Sequence, residues 1–362
     1  MPESDRPAHT DTLADALAEA AYAAFDDGDL LAARSGFEAV LAAEPDDPVH
    51  HYMLGLVCKY LRDWDQSLRH NLRSLALRAA ARGIDDGKEH GTDDQTDDEA
   101  SRWNAAIAAT ALGDWAEARR QWAACGIDIP AGDGAIHGNF GVLSLRLDPW
   151  DRGETLFARR IDPVRAQIIN VPLPDSGYRY GDIVLHDGAA TGERRFHQSR
   201  VPVMNALQRT IVSEYPTFAV FATCPRREDL DALVAMRVPG IAFIEDWTES
   251  IRHVCLRCSY GAPHRHREDD DANDAAAWRP ERNLGVAAQS RRSVLRLIER
   301  WKEQGAGRRL DALESRDHEP SAPPGQGVQW WLAPEDRADA GSAIPDDAID
   351  ETRDEDRDDE LR

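Results

Sequence analysis

The chain has 362 residues, 42% apolar and 30% charged, enough for two or three domains with cores of their own. Its 66 acidic residues against 43 basic ones leave a net charge of −23. A phosphate backbone is repelled by such a chain, so nucleic-acid binding is disfavoured and a basic protein partner is the better match.

The only local basic patches are short clusters, such as Arg159-Arg160, Arg226-Arg227 and Arg308-Arg309. No apolar stretch approaches the roughly 20 residues of a membrane span, so no membrane role is expected. Met1 to Thr12 lack the basic start and apolar run of a secretory signal. Five cysteines, scattered apart from one pair, suit a reducing compartment; the expected location is cytoplasmic.

Residues 13–125 predict helices, because Ala and Leu recur at three- and four-residue steps. A longer period overlies them. Gly28-Asp29, with Ala33, Phe37 and Pro45 behind it, is answered 34 residues later by Arg62-Asp63-Trp64 with Ser67 and Asn71. Gly113-Asp114-Trp115, with Ala118 and Trp122, follows after a further 51. The 17-residue excess matches a polar insert, 84–100, that holds six aspartates and two glutamates and reads as a solvated loop.

A 34-residue helix–turn–helix period resembles the tetratricopeptide repeat (TPR). Leu54-Gly55 fits its first-helix Leu-Gly, the Gly-Asp pairs its turn, and Ala33 and Ala118 its small crossing residue. Phe37 and Trp122 fit the large second-helix residue, and Pro45 the terminating proline. Arg62 for glycine, Asn71 for an aromatic and Ala105-Ala106 for Leu-Gly are departures. The resemblance covers about a third of the chain and implies a concave protein- or peptide-binding surface.

From Ile129 glycine and proline rise and the alanine runs stop. Val142 to Leu147, Ile168 to Val171 and Gly181 to Gly188 predict strands. We expect a small antiparallel sheet or partial barrel over 136–210, ending in a short helix near Pro202 to Val212. His137, His186, His197, Asp182 and Asp187 fall here. Neighbours on a strand face opposite ways, so His186-Asp187 is expected to be a hairpin-turn Asp-Gly preceded by an ordinary surface histidine.

Residues 217–314 alternate strand and helix. The expected strands are 217–222, 240–247 (extending to Cys255), 283–288 and 309–313, with helices at 226–236 and 290–304. Ser290 is a candidate cap for the second helix and Gly305 to Gly307 its stop. A βαββαβ order resembles the ferredoxin-like split βαβ sandwich, a fold that implies no one function. The expected fold class is therefore an α+β multidomain chain. TPR-like α-helical hairpins span 13–128, a small β-rich middle 129–213, a ferredoxin-like α+β domain 214–314, and an acidic disordered tail 315–362. Trp330-Trp331-Leu332 is an apolar island in that tail and is expected to dock back on the body.

The sharpest chemistry lies between the second and third strands of the last domain. Cys255, Cys258, His264 and His266 form a C-x2-C-x5-H-x-H pattern, with Gly261 and Pro263 in the return turn. Two thiols and two imidazoles suit tetrahedral zinc, and four protein ligands leave no open position, which favours a structural metal clip over catalysis. The expected function is an intracellular protein–protein interaction or scaffold protein, with an immunity-like inhibitor of a basic partner as one version. The alternative is a metal-dependent hydrolase using the Cys/His loop, though the chain has no phosphate loop, Gly-x-Ser-x-Gly elbow or His-Glu-x-x-His helix.

Overall fold

Three turns of like geometry build the N-terminal helices. Gly28, Arg62 and Gly113 take φ values of 76°, 59° and 73°, the left-handed region in which a helix ends. The following aspartates, Asp29, Asp63 and Asp114, donate their N–H groups back to Ala24, Cys58 and Ala109 at 2.8–2.9 Å. Their side chains then cap the next helix, accepting from the backbone of Ala32, Gln66 and Glu117. One dipeptide thus closes one helix and opens the next, three times over. The helices are α1 (Ala8–Asp26), α2 (Leu30–Ala43), α3 (Pro48–Tyr60), α4 (Trp64–Ile84), α5 (Thr92–Leu112) and α6 (Trp115–Ala124). The structure, a computed structural model, describes residues 8–84, 92–151, 153–250, 278–315 and 318–333.

Small residues let these helices approach. A Cβ on Gly36 would lie 2.7 Å from Ala21 Cβ, and one on Gly55 would lie 2.5 Å from Asn71 Nδ2. Asn71 is fully buried. It donates to the Ser67 carbonyl at 2.8 Å, while Ser67 Oγ donates to Gly55 O at 2.8 Å. These bonds make a close contact between α3 and α4. The polar insert departs from expectation. Only 85–91 lies outside the described residues, and α5 begins at Thr92. Buried Asp98 on α5 accepts from Arg82 at 2.6 Å, a partner supplied by α4.

The middle region closes into a five-stranded barrel of β1 (Val142–Arg146), β2 (Thr155–Arg160), β3 (Arg165–Ile168), β4 (Ile183–Phe196) and β5 (Ser199–Ile211). Four pairings are antiparallel, and a parallel β1–β5 pairing (Ser144 beside Val203) seals it. The helix expected near 202–212 is instead β5. Its Met204 and Leu207 offer a helical step, but pairing along β4 and burial of Val201, Val203 and Ala206 prevail. The expected turn at Asp187-Gly188 is also overturned. Register shifts between His186 and Gly192 carry β4 on to Phe196, and the hairpin turns at His197 (φ 51°).

The remaining elements are β6 (Thr217–Thr223), α7 (Arg227–Ala235), β7 (Ile241–Asp246), α8 (Trp247–Ser250), β8 (Glu281–Ala288), α9 (Arg291–Glu303) and β9 (Arg309–Ser315). The sheet order is β7-β8-β6-β9, with every pairing antiparallel. Alternation sorts the two faces. Val220, Ala222, Leu284 and Val286 pack under α7 and α9, while Ala219, Trp247 and Ala287 meet Val171 in the connection after β3. Ser290 caps α9, accepting from Ser293 N at 3.2 Å. The strand expected to reach Cys255 stops at Asp246, whose carboxylate accepts from Thr248 N at 3.0 Å and starts α8. Trp247 then folds onto the sheet, where only a glycine at 285 leaves room: a Cβ there would lie 2.2 Å from its ring.

After β9 the chain returns across the molecule. Trp150 Nε1 donates to Ser321 at 2.8 Å, Asn205 donates to Trp330 O at 3.1 Å, and Gly327 N donates to Gly28 O at 3.1 Å. Trp330 and Trp331 are buried at the junction of α1, α3 and the barrel. Docking of the tryptophan island is as expected. The stretch 318–333 is thus a packed strap rather than tail, and 334–362 lie outside the described residues.

Candidate functional site

The inner helices α3 and α5 face β4 of the barrel. Lys59 on α3 reaches Asp187 on β4 at 2.9 Å, with 4% and 2% of the two side chains exposed. Asp187 Oδ1 also accepts from Gly188 N at 2.7 Å. Nearby, Trp64 Nε1 donates to Gln208 Oε1 at 2.7 Å, and Trp103 lies against Gly188, where a Cβ would come within 3.0 Å of the indole. The barrel therefore packs against α3, α4 and α5 at these points.

What stays open is a cleft of about 400 Å³ between α3, α5 and the bulged part of β4. Tyr52, Leu56, Trp103 and Ile107 give it apolar and aromatic walls, Lys59, Tyr60 and Asp187 line its inner end, and Glu99 is exposed. Lys59 Nζ sits 4.5 Å from the Tyr60 ring centroid. Burial, then the Asp187 charge, pushes the Tyr60 hydroxyl well above its ordinary pKa, so it stays protonated. An ammonium is thus already held between a carboxylate and an aromatic face. The sequence carried one signal for this site: Lys59 interrupts the apolar run Leu54 to Leu61, and a lysine buried in such a run needs an anionic partner. Nothing in the sequence pointed to the partner 128 residues away.

The histidines and aspartates of the middle region do not converge. His137 and His197 are exposed, while His186 is buried. His186 Nδ1 lies 2.7 Å from the Asp187 carbonyl oxygen, and burial lowers its pKa to about 4. The surface histidine expected at 186 is therefore a neutral interior one. Asp182 fastens the start of β4 to the end of β5, accepting from Ser213 N at 2.7 Å and Arg179 N at 2.9 Å.

Cys255, Cys258, His264 and His266 lie in 251–277, outside the described residues. The stem of that loop is the antiparallel pair β7–β8, with Asp246 opposite Leu284. Among the described residues, Glu44, Asp47 and His50 bring ligand atoms within 4.8 Å of one another. Asp47 is the α3 cap, accepting from Val49 N and His50 N at 2.8 Å, so its carboxylate has a structural task without any ion. No helix among the described residues is long and apolar enough to cross a membrane. Compared with protein-family models, curated proteins and solved structures, the chain finds no match.

Proposed function

We propose that this chain is a protein-binding protein of the tetratricopeptide-repeat type, acting through the helical hairpins on a basic partner. The observation that carries this is the threefold turn at Gly28-Asp29, Arg62-Asp63 and Gly113-Asp114, which stacks the hairpins and leaves the inner helices α3 and α5 bordering an open cleft. The net charge of −23 supports a basic partner, the chemistry an immunity-like inhibitor would need. The sheet order β7-β8-β6-β9, with one helix after β6 and one after β8, supports a ferredoxin-like reading of the C-terminal part. A zinc ion on Cys255, Cys258, His264 and His266 would act there as a structural clip across the β7–β8 connection.

The test is capture and cross-linking with the full-length chain. A genuine partner is lost at least about tenfold with Leu56→Asp or Trp103→Ala, and retained with Val234→Asp on the exposed side of α7, since 1.4 kcal/mol of lost contact suffices for that factor. Capture indifferent to all three changes ends this reading. The clip is tested separately by metal analysis. Wild type should carry one zinc, lost in Cys255→Ser and His264→Ala with a lowered melting temperature, and metal-free wild type under reducing conditions removes the clip.

A further inference from the structure

We propose that the cleft between α3, α5 and β4 is a pocket for a single arginine side chain of the protein partner. This rests on the protein-binding reading above and gives it a chemistry. The cleft, at about 400 Å³, is at the small end of the roughly 300–1,000 Å³ typical of ligand sites. Its charges are Lys59, Asp187 and Glu99, one positive against two negative. Lys59 and Asp187 neutralise each other at 2.9 Å in a nearly water-free setting. Glu99 is left as a net negative charge at the exposed edge, and one cation balances it.

The walls distinguish arginine from other cations. Trp103 and Tyr52 supply aromatic surface, and a guanidinium stacks on such rings while its edge reaches a carboxylate. A lysine ammonium is more strongly hydrated and gives up more on entering. The molecule already uses this chemistry elsewhere: the Arg165 guanidinium lies 4.5 Å from the Trp115 ring centroid while pairing with Asp162 at 2.5 Å. An anion would meet Glu99 and find the one lysine already engaged, so acidic ligands are rejected.

The experiment titrates the full-length chain with capped Gly-X-Gly tripeptides, X being Arg, Lys, Gln or Glu. The readout is the indole N–H resonance of Trp103, assigned with Trp103→Phe. The Arg peptide should bind about tenfold more tightly than the Gln peptide, with Lys between them and Glu undetectable. Glu99→Gln, at an exposed position that leaves the fold intact, should weaken the Arg peptide about threefold and flatten its salt dependence. Arg and Gln peptides of equal affinity overturn the pocket, as does an Arg affinity unmoved by Glu99→Gln. The two readings separate cleanly. Partner capture that needs Leu56 while Arg and Gln peptides bind alike removes the arginine pocket and keeps the protein-binding reading. Arg selectivity with capture indifferent to Leu56 and Trp103 keeps a cation pocket but removes its proposed occupant.

Discussion

Tyr60 and Trp331 stack face to face, with ring centroids 4.8 Å apart and planes 12° from parallel. Tyr60 also lines the cleft, so the C-terminal strap buttresses one of its walls. Trp330 meets the same tyrosine edge-on at 5.2 Å and Trp150 at 5.3 Å. This fully buried indole belongs to the core shared by hairpins, barrel and strap. Trp330→Ala should cost about 3–5 kcal/mol, the range for deleting a large aromatic from a core. Urea denaturation should show the loss in hairpins and barrel together. Loss confined to the strap would mean that it rides on the surface.

The Lys59–Asp187 pair holds the hairpins to the barrel with almost no water present. Removing one partner strands a buried charge. Lys59→Met and Asp187→Leu should therefore each destabilise by about 3–5 kcal/mol, while the double variant recovers most of it. A double-mutant cycle by chemical denaturation measures this. Additive losses would show that each residue matters for its shape rather than for the pair.

Two buried groups make stability depend on pH in opposite directions. His186 has a folded pKa near 4 against 6.5 unfolded, because burial disfavours the imidazolium. Its stabilisation is complete by about pH 7.5 and is lost as pH falls toward 4, about 3 kcal/mol in all. His70, stacked on His51 and also lowered to about 4 by burial, adds to the same limb. Glu154 is raised to about 8 by burial, although both its oxygens accept from Leu173 N at 3.0–3.1 Å. Its contribution is present below 4.5 and is lost as pH rises through 8. These two histidines are neutral in both states only about a unit above the unfolded value, so the window from about 7.5 to 9 isolates Glu154 from them. We expect wild-type stability to fall there by about 1 kcal/mol, allowing for partial exposure, and to stay flat in Glu154→Gln. His186→Gln should be flatter only below about 7.5. Identical slopes for Glu154→Gln and wild type in the upper window would refute the assignment.

What the sequence made legible follows from the range of the interaction involved. The helical character of 13–125, the Gly-Asp turns, the Ser290 cap and the strands of the last sheet rest on local signals within a few residues, and the chain carries them openly. Locally β5 resembles a helix, because its identity depends on pairing with β4, whose bulges between His186 and Gly192 no local pattern announces. The same holds for His186-Asp187: a buried aspartate has the local signature of a turn aspartate, and only Lys59, far away in sequence, distinguishes them. The insert misleads by composition, since α5 begins within it at Thr92 and one of its aspartates, Asp98, is an interior acceptor.

Gly28 and Gly113 offer a controlled comparison of backbone strain with packing. Their φ values, 76° and 73°, differ little, and both end a helix before a capping aspartate. An alanine at either site must therefore hold a left-handed conformation, costing about 1–2 kcal/mol. The surroundings differ. A Cβ at Gly113 would find its nearest neighbour at 3.8 Å, the Trp115 indole, which is ordinary contact. At Gly28 it would lie 2.9 Å from the backbone carbon of Val328 in the strap, which cannot swing aside like a side chain. Gly28→Ala should thus exceed Gly113→Ala by about 1–3 kcal/mol, the cost of overpacking. Arg62 shows that the conformation alone is tolerable: it adopts φ 59° with its guanidinium 5.3 Å from the Trp150 ring centroid, a contact that offsets the strain. Thermal denaturation of the two alanine variants, with and without Trp330→Ala, decides the matter. If the strap is the source of the difference, loosening it with Trp330→Ala brings the two alanine penalties together; if they remain apart, the clash is not what separates them.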